Sequence, residues 1–138
     1  MGILFLGDVV GISGCSKIMS NLLSQIKKNK IDFVVVNGEN AAETGAGLTK
    51  EICEDFFRCG VNVITTGNHV WDQKEIINFI DKENRLLRPK NLFEPAPGMG
   101  FRIYTTTEDI KVGVLNLMGN VFMKKCDDVF ETVKKFTD

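Results

Sequence analysis

Histidine is almost absent from this sequence, since His69 is the only one among 138 residues. The chain therefore cannot build a metal site from several imidazoles of its own. Its four cysteines form no CxxC pair and no spacing typical of zinc ligands, which argues against a structural zinc site. We expect reduced, mostly packed thiols, as in a cytoplasmic protein. These cysteines are Cys15, Cys53, Cys59 and Cys126.

The sequence also lacks an excess of charge and long apolar segments. Seventeen basic and 18 acidic side chains give a formal net charge of −1, so charge gives no reason to expect nucleic acid as a partner. No apolar run approaches the length that spans a bilayer, and we expect no membrane partner. The first residues begin a strand without the basic region or cleavage site of a secretion signal, which predicts a cytoplasmic location.

What is present is an alternation of short apolar runs with amphipathic segments. Three β-branched or aromatic runs, Ile3–Leu6, Phe33–Val36 and Val61–Thr65, predict strands, and we expect the first two to be buried on both faces of a sheet. A helix signal follows each run. Apolar residues at helical spacing follow the first run, and Thr49 is a predicted N-cap after the second. After the third, Asp72 and Glu75 form a variant of the capping box. The predicted helices span residues 16–29, 49–58 and 72–81.

The last third of the chain has a different pattern. Residues 88–100 contain three prolines and no periodicity, which predicts a turn-rich loop. Residues 101–105 and 111–117 predict a β-hairpin, and residues 128–136 a final helix. The fold class is therefore α/β: a parallel β-α-β-α-β unit followed by a β-hairpin, within one domain.

A glycine and then polar side chains follow each predicted strand of the parallel sheet. Ligands of open α/β sheets bind beyond the carboxyl ends of the strands, so these side chains should converge there. Carboxylates and amide oxygens suit divalent metals, and a carboxylate can bridge two ions. Each residue alone could be a turn, cap or structural hydrogen-bonding residue, but their shared position favours a site. The candidates are Asp8, Glu39, Asn40, Asn68 and His69.

Other glycine clusters give weaker signals. Gly7, Gly11 and Gly14 do not form the GxGxxG fingerprint of dinucleotide sites, and residues 45–50 have the wrong order and spacing for a P-loop. Both clusters are more typical of loops around the site than of a nucleotide cofactor site, which is the less favoured hypothesis.

Three ordered motifs resemble those of the calcineurin-like metallophosphoesterases and, more narrowly, the YmdB-type bacterial phosphodiesterases. They are GDVVG at residues 7–11, NGENAA at 37–42 and TTGNHVWD at 65–72, with further similarity at RPKN (88–91) and NLMG (116–119). The resemblance implies an α/β/β/α sandwich that holds two divalent ions, iron or manganese. It further implies that Asp8, Glu39, Asn40 and Asn68 are metal ligands, with Glu39 bridging, and that His69 protonates the leaving oxygen.

Members of that family are nearly twice this long, and their second half supplies three further histidine ligands. The resemblance therefore implies that residues 1–138 are the N-terminal portion of one metallophosphoesterase domain, with weak or partial metal occupancy. Two functions follow. The first is a metal-dependent phosphodiesterase for small phosphodiesters such as 2',3'-cyclic nucleotides, completed by a C-terminal half or a homo-oligomer. The second is an inactive fragment that serves as a binding or regulatory module, or has no function.

Overall fold

Two β-sheets form the centre of the computed structural model, which describes residues 1–93 and 95–137. Four parallel strands make the larger sheet, in the order β1-β2-β3-β4, and two antiparallel strands make the smaller one. The strands are β1 (Ile3–Leu6), β2 (Phe33–Asn37), β3 (Val63–Thr65), β4 (Leu86–Leu87), β5 (Phe101–Thr105) and β6 (Lys111–Leu115). The helices are α1 (Gly11–Asn29), α2 (Lys50–Arg58), a 3₁₀ helix (Lys74–Asn78) and α3 (Val129–Thr137).

The parallel β-α-β-α-β unit and the hairpin are confirmed. Thr49 caps α2 as predicted, because its Oγ1 accepts a hydrogen bond from the Ile52 amide at 3.3 Å. Helix α1 begins at Gly11, five residues before the predicted start. Strand β4 was not predicted, since a two-residue strand is too short for any periodicity.

The predicted helix over residues 72–81 is wrong, because only the short 3₁₀ helix forms there. Glu75 does not complete a capping box, since its Oε1 accepts a hydrogen bond from the Lys50 amide at 2.7 Å, at the start of α2. Asp72 is also engaged elsewhere, as its carboxylate binds His69. Without these two caps, the segment makes only short local turns.

The prediction that β1 is buried on both faces is also wrong. Ile3 is 51% exposed and Phe5 is 61% exposed, although β2 is buried throughout its apolar run. The reason is position, since β1 is the edge strand of its sheet.

The hairpin packs face to face on the parallel sheet. Val112, with Tyr104 and Val114, packs against four residues of the larger sheet, namely Phe33, Val35, Val63 and Leu87. The opposite face of the larger sheet packs against α1 and α2 in the main core. Helix α3 contacts the outer face of the hairpin through the rings of Phe101 and Phe136, whose centroids lie 4.9 Å apart. The layers therefore run helix, sheet, sheet, helix, as the resemblance implies.

All four cysteines are free, and three of them are buried. Burial raises the pKa of the Cys53 thiol to about 12, and it also raises the pKa of Cys15 and Cys59, so these thiols are protonated and unreactive at neutral pH.

Among residues 1–93 and 95–137, no helix has the length and apolar character needed to cross a membrane. The cytoplasmic location stays a prediction.

Candidate functional site

The carboxyl ends of β1, β2 and β3 lie side by side at one edge of the larger sheet. The register pairs Leu6 with Val36 and Val36 with Ile64, and all three strands are parallel. The segments that follow them therefore leave the sheet at the same edge. The structure places all five candidate residues on these segments, in the order that the sequence predicted.

Asp8 and Asn40 are held in direct contact. The Asn40 Nδ2 group donates a hydrogen bond to Asp8 Oδ1 at 2.7 Å, and backbone bonds join the two segments on either side. This geometry leaves the Asn40 Oδ1 atom as an acceptor for a ligand. Asp8 has a φ of +49°. This left-handed backbone conformation is uncommon in residues other than glycine and is often found at functional sites.

The Glu39 carboxylate is the most unusual group at this edge. Its Oε2 atom is buried and has no hydrogen-bond partner among the described residues. The carboxylate lies directly against Gly67, at a position that a methyl group on that residue would occupy. A buried carboxylate oxygen without a donor is costly, and a bound cation removes that cost. Glu39 therefore fits a metal ligand.

His69 is oriented by Asp72. Its Nδ1 atom lies 2.7 Å from Asp72 Oδ2, and both side chains are partly exposed. A hydrogen bond at Nδ1 sets the ring orientation and leaves Nε2 to face a substrate. The Asn68 side chain is exposed directly after Gly67, and the described residues form no hydrogen bond to it.

Asp72 is one of the residues of the site that sequence reasoning missed. Its position three residues after His69, within the TTGNHVWD motif, was assigned to a helix cap. The spacing of His69 and Asp72 nonetheless indicated a contact, because a turn brings residues i and i+3 together as readily as a helix does.

Two neighbouring loops hold this edge in place. The Gly47 amide donates to the Glu39 carbonyl at 2.6 Å, and Gln73 Nε2 donates to the Ala46 carbonyl at 2.9 Å. The cluster of glycines at residues 45–47 therefore forms a loop around the site, as predicted, and ties the Glu39 segment to the segment that carries His69.

The donor set contains two carboxylates and two amides. Within residues 1–93 and 95–137, no group of three or more His, Cys, Asp or Glu side chains is placed to hold a metal ion. Asp8 and Glu39 could thus provide only part of the coordination that two divalent ions need.

The order of motifs and the layered fold match those of known proteins. The family model of the YmdB-like proteins matches residues 4–138. The chain belongs to the YmdB-like family. A relative in Bacillus subtilis, a 2',3'-cyclic-nucleotide 2'-phosphodiesterase, is 42% identical over 130 residues, which are 94% of this chain and 48% of that protein. A putative phosphatase/phosphodiesterase of Mycoplasma pneumoniae is 36% identical over 120 residues, 84% of this chain and 42% of that protein.

Solved structures support the YmdB-like fold. A hypothetical protein from Thermus thermophilus superposes with a TM-score of 0.90 at 32% identity, covering 98% of this chain and 52% of that one. A novel phosphatase from Mycoplasma pneumoniae gives a TM-score of 0.87 at 34% identity, covering 96% of this chain and 49% of that one. The chain thus spans about half the length of the relatives it matches.

Within this YmdB-like half, Asn116 links the site to the second sheet. The buried Nδ2 group of Asn116 donates to the carbonyls of Thr66, at 2.8 Å, and Leu87, at 3.0 Å. Thr66 directly precedes Gly67, so this bond holds the segment that carries Asn68 and His69. Neither Asp72 nor Asn116 was among the predicted site residues.

Replacing Asn116 by leucine is expected to lower the free energy of unfolding by about 1–3 kcal/mol, because the buried Thr66 carbonyl loses its donor. Urea denaturation followed by circular dichroism measures this change. Asn78→Leu, at an exposed position, is the matched control and should stay within about 0.5 kcal/mol of wild type. Equal stability of the two variants would show that the Asn116 bonds contribute little.

Proposed function

We propose that this chain carries the N-terminal part of the site of a metal-dependent phosphodiesterase that hydrolyses small phosphodiesters such as 2',3'-cyclic nucleotides. The observation that carries this proposal is the buried, unpartnered Glu39 carboxylate, at the same sheet edge as the Asp8–Asn40 pair and the His69–Asp72 pair. The Bacillus subtilis relative, named a 2',3'-cyclic-nucleotide 2'-phosphodiesterase, supports the substrate class.

Asp8, Glu39, Asn40 and Asn68 would hold two divalent ions, iron or manganese. When bound, such ions supply a nucleophile at neutral pH and stabilise charge on the phosphoryl oxygens. The two carboxylates offset part of the positive charge, and the two amides add neutral oxygen ligands. Gly67 lets the Glu39 carboxylate approach the Asn68 segment closely.

His69 would donate a proton from Nε2 to the leaving oxygen of the phosphodiester. The Asp72 carboxylate at Nδ1 holds the ring in a fixed orientation. His69 follows Asn68 directly. A single turn of the backbone could therefore direct the Asn68 side chain to a metal ion and the His69 imidazole to the substrate.

The chain alone should be a poor catalyst, because its oxygen ligands are too few for two ions. We expect negligible hydrolysis of bis-p-nitrophenyl phosphate by the chain alone, even with added Mn²⁺. Co-expression with the half of the Bacillus subtilis relative that this chain does not match should restore manganese-dependent hydrolysis, which absorbance of p-nitrophenolate measures.

Asp8→Ala in the complemented protein should abolish the restored activity, whereas Asp32→Ala, at the opposite end of the sheet before β2, should keep most of it. Manganese-dependent turnover by the chain alone, lost on Asp8→Ala, would show that the site is more complete than proposed. A complex that forms but has no activity would favour the alternative of an inactive binding module.

A further inference from the structure

The loop that follows β6 presents an aromatic side chain to solvent. Phe122 is fully exposed, and its neighbours Val121 and Met123 are 74% and 43% exposed. An apolar side chain that stands singly on a surface is ordinary, whereas several adjacent ones often mark a binding surface. The tip of the loop at residues 120–125 is therefore a candidate binding surface that the proposed chemistry does not use.

The backbone at this tip is strained. Phe122 has a φ of +58°, a left-handed conformation that glycine adopts readily and bulky residues adopt rarely. Such a conformation is costly for a residue with a Cβ atom, and it is commonly retained where function needs it. Phenylalanine is therefore an unexpected residue at this position unless its ring has a partner.

Hydrogen bonds fix the base of the loop. The buried Asn91 side chain holds both ends, because its Nδ2 group donates to the carbonyls of Met118, at 2.7 Å, and Asp127, at 3.0 Å. Its Oδ1 atom accepts a hydrogen bond from the Met118 amide at 2.9 Å. Asn120 Nδ2 closes the loop by donating to the Asp127 carbonyl at 3.1 Å. A tip on a fixed base loses less entropy when it binds a ligand.

The loop begins at the edge of the sheet where the candidate site lies. Asn116, directly after β6, donates a hydrogen bond to the Thr66 carbonyl at 2.8 Å, and His69 lies three residues after Thr66. Leu117 and Asn37, the last residue of β2, line the same space between the two sheets. The tip is five residues beyond Leu117, so it lies at most about 18 Å from it. The exposed ring therefore stands near the proposed metal ligands.

A nucleotide offers a group for each of these two places. Its phosphate would lie at the proposed metal ligands, and its base is a flat ring system several bonds away from that phosphate. Bases stack on exposed aromatic side chains whatever their sequence, because every base has a π-face. A small phosphodiester without a ring system gives Phe122 nothing on which to stack.

We propose that Phe122 stacks on the base of a nucleotide whose phosphate occupies the candidate site, and so selects nucleotides over phosphodiesters that lack a base. This inference rests on the proposed function for the location of the phosphate, and it adds the group that recognises the rest of the substrate. Phe122 is a specificity-determining residue and not a catalytic residue, since its ring contacts the base and not the reacting phosphate.

Calorimetric titration of the complemented protein, loaded with manganese, tests this assignment. The probes are adenosine 3'-phosphate and inorganic phosphate, which share the phosphate group and differ in the nucleoside. We expect the nucleotide to bind about tenfold more tightly, because stacking of a base on an aromatic side chain has an effect of that order. Binding of these probes requires no turnover, so the result does not depend on phosphodiesterase activity.

Phe122→Ala should remove most of this preference for the nucleotide and leave the affinity for inorganic phosphate unchanged. The variant should fold, because the Phe122 side chain is exposed. Phe122→Tyr keeps a ring that can stack and should bind both probes like wild type. Phe130→Ala is the matched control, since Phe130 is 75% exposed but lies on α3, and it should also bind like wild type.

Three results would overturn the inference. These are equal affinity of the wild-type protein for the two probes, an unchanged preference in Phe122→Ala, and an equal loss of both affinities in that variant. Hydrolysis without a nucleotide preference would remove this inference and leave the proposed function intact. A nucleotide preference that depends on Phe122, without hydrolysis of any phosphodiester, would support the inference and contradict the proposed function.

An anionic membrane is the alternative partner for this tip, because Lys124 and Lys125 follow the apolar residues. Sedimentation with phosphatidylglycerol vesicles tests it, and we expect the wild-type protein to stay in solution. Vesicle binding that Phe122→Ala abolishes, together with equal affinity for the two phosphate probes, would assign the loop to a membrane surface and overturn the inference.

Discussion

Replacing His69 by alanine in the complemented protein is expected to slow hydrolysis of a 2',3'-cyclic nucleotide by a hundredfold or more, the scale of a positioned general acid. The leaving group of that substrate is an alkoxide, which needs a proton as the bond to phosphorus breaks. The loss should be smaller for bis-p-nitrophenyl phosphate, because p-nitrophenolate is stable without protonation. Comparing kcat for the two substrates measures this difference.

Asp72→Asn is the matched variant for this prediction. It keeps the shape of the side chain and removes the charge 2.7 Å from His69 Nδ1, so activity should fall less than in His69→Ala. If His69→Ala slowed both substrates equally, His69 would act in binding or structure and not as the acid.

Gly67→Ala is expected to weaken metal binding while the fold persists. The added methyl group would overlap the Glu39 carboxylate, and that carboxylate is the end of a flexible side chain that can rotate away. Stability should therefore change little, but Glu39 would leave the position in which it can ligate an ion. We expect manganese affinity of the complemented protein to fall at least tenfold, as calorimetry can measure.

Gly119→Ala is the control for Gly67→Ala, because nothing lies within 4 Å of a methyl group at residue 119. It should bind manganese like wild type. Retained affinity in Gly67→Ala, with a normal melting temperature, would remove Glu39 from the proposed ligand set.

The parallel unit and the location of the candidate site were predictable because both depend on local signals. Continuous apolar runs identify β2 and β3, and the glycine that follows each strand marks where the chain leaves the sheet. Parallel strands then bring Asp8, Glu39 and Asn68 to one edge, whatever the loops between them do.

Features that depend on distant partners were not predictable. Arg88 is an example, since it is a charged residue in a turn-rich segment and yet is 2% exposed. Its guanidinium donates to the carbonyls of Pro89, Ala96 and Pro97, and Ala96 and Pro97 come within reach only when the turn-rich loop folds back on itself. The exposure of β1 likewise depends on how far the hairpin extends, and no property of the Ile3–Leu6 sequence records that.

The same limit applies to Glu75 but not to Asp72. Both match a capping pattern, but the Glu75 carboxylate binds the Lys50 amide, which is distant in sequence, and the Asp72 carboxylate binds His69, only three residues earlier. At the border of the candidate site, helix propensity was overridden by a tertiary contact at Glu75 and by a different local contact at Asp72, and such conflicts are expected there.

We propose that the strand-end residues form part of a two-metal centre that this chain cannot complete by itself. Elemental analysis of protein purified with manganese, alone and as the complex with the complementing half, tests this claim most directly. We expect well under two retained ions for the chain alone, close to two for the complex, and a loss from the complex on Asp8→Ala. Two tightly retained ions in the chain alone, or none in the complex, would contradict it.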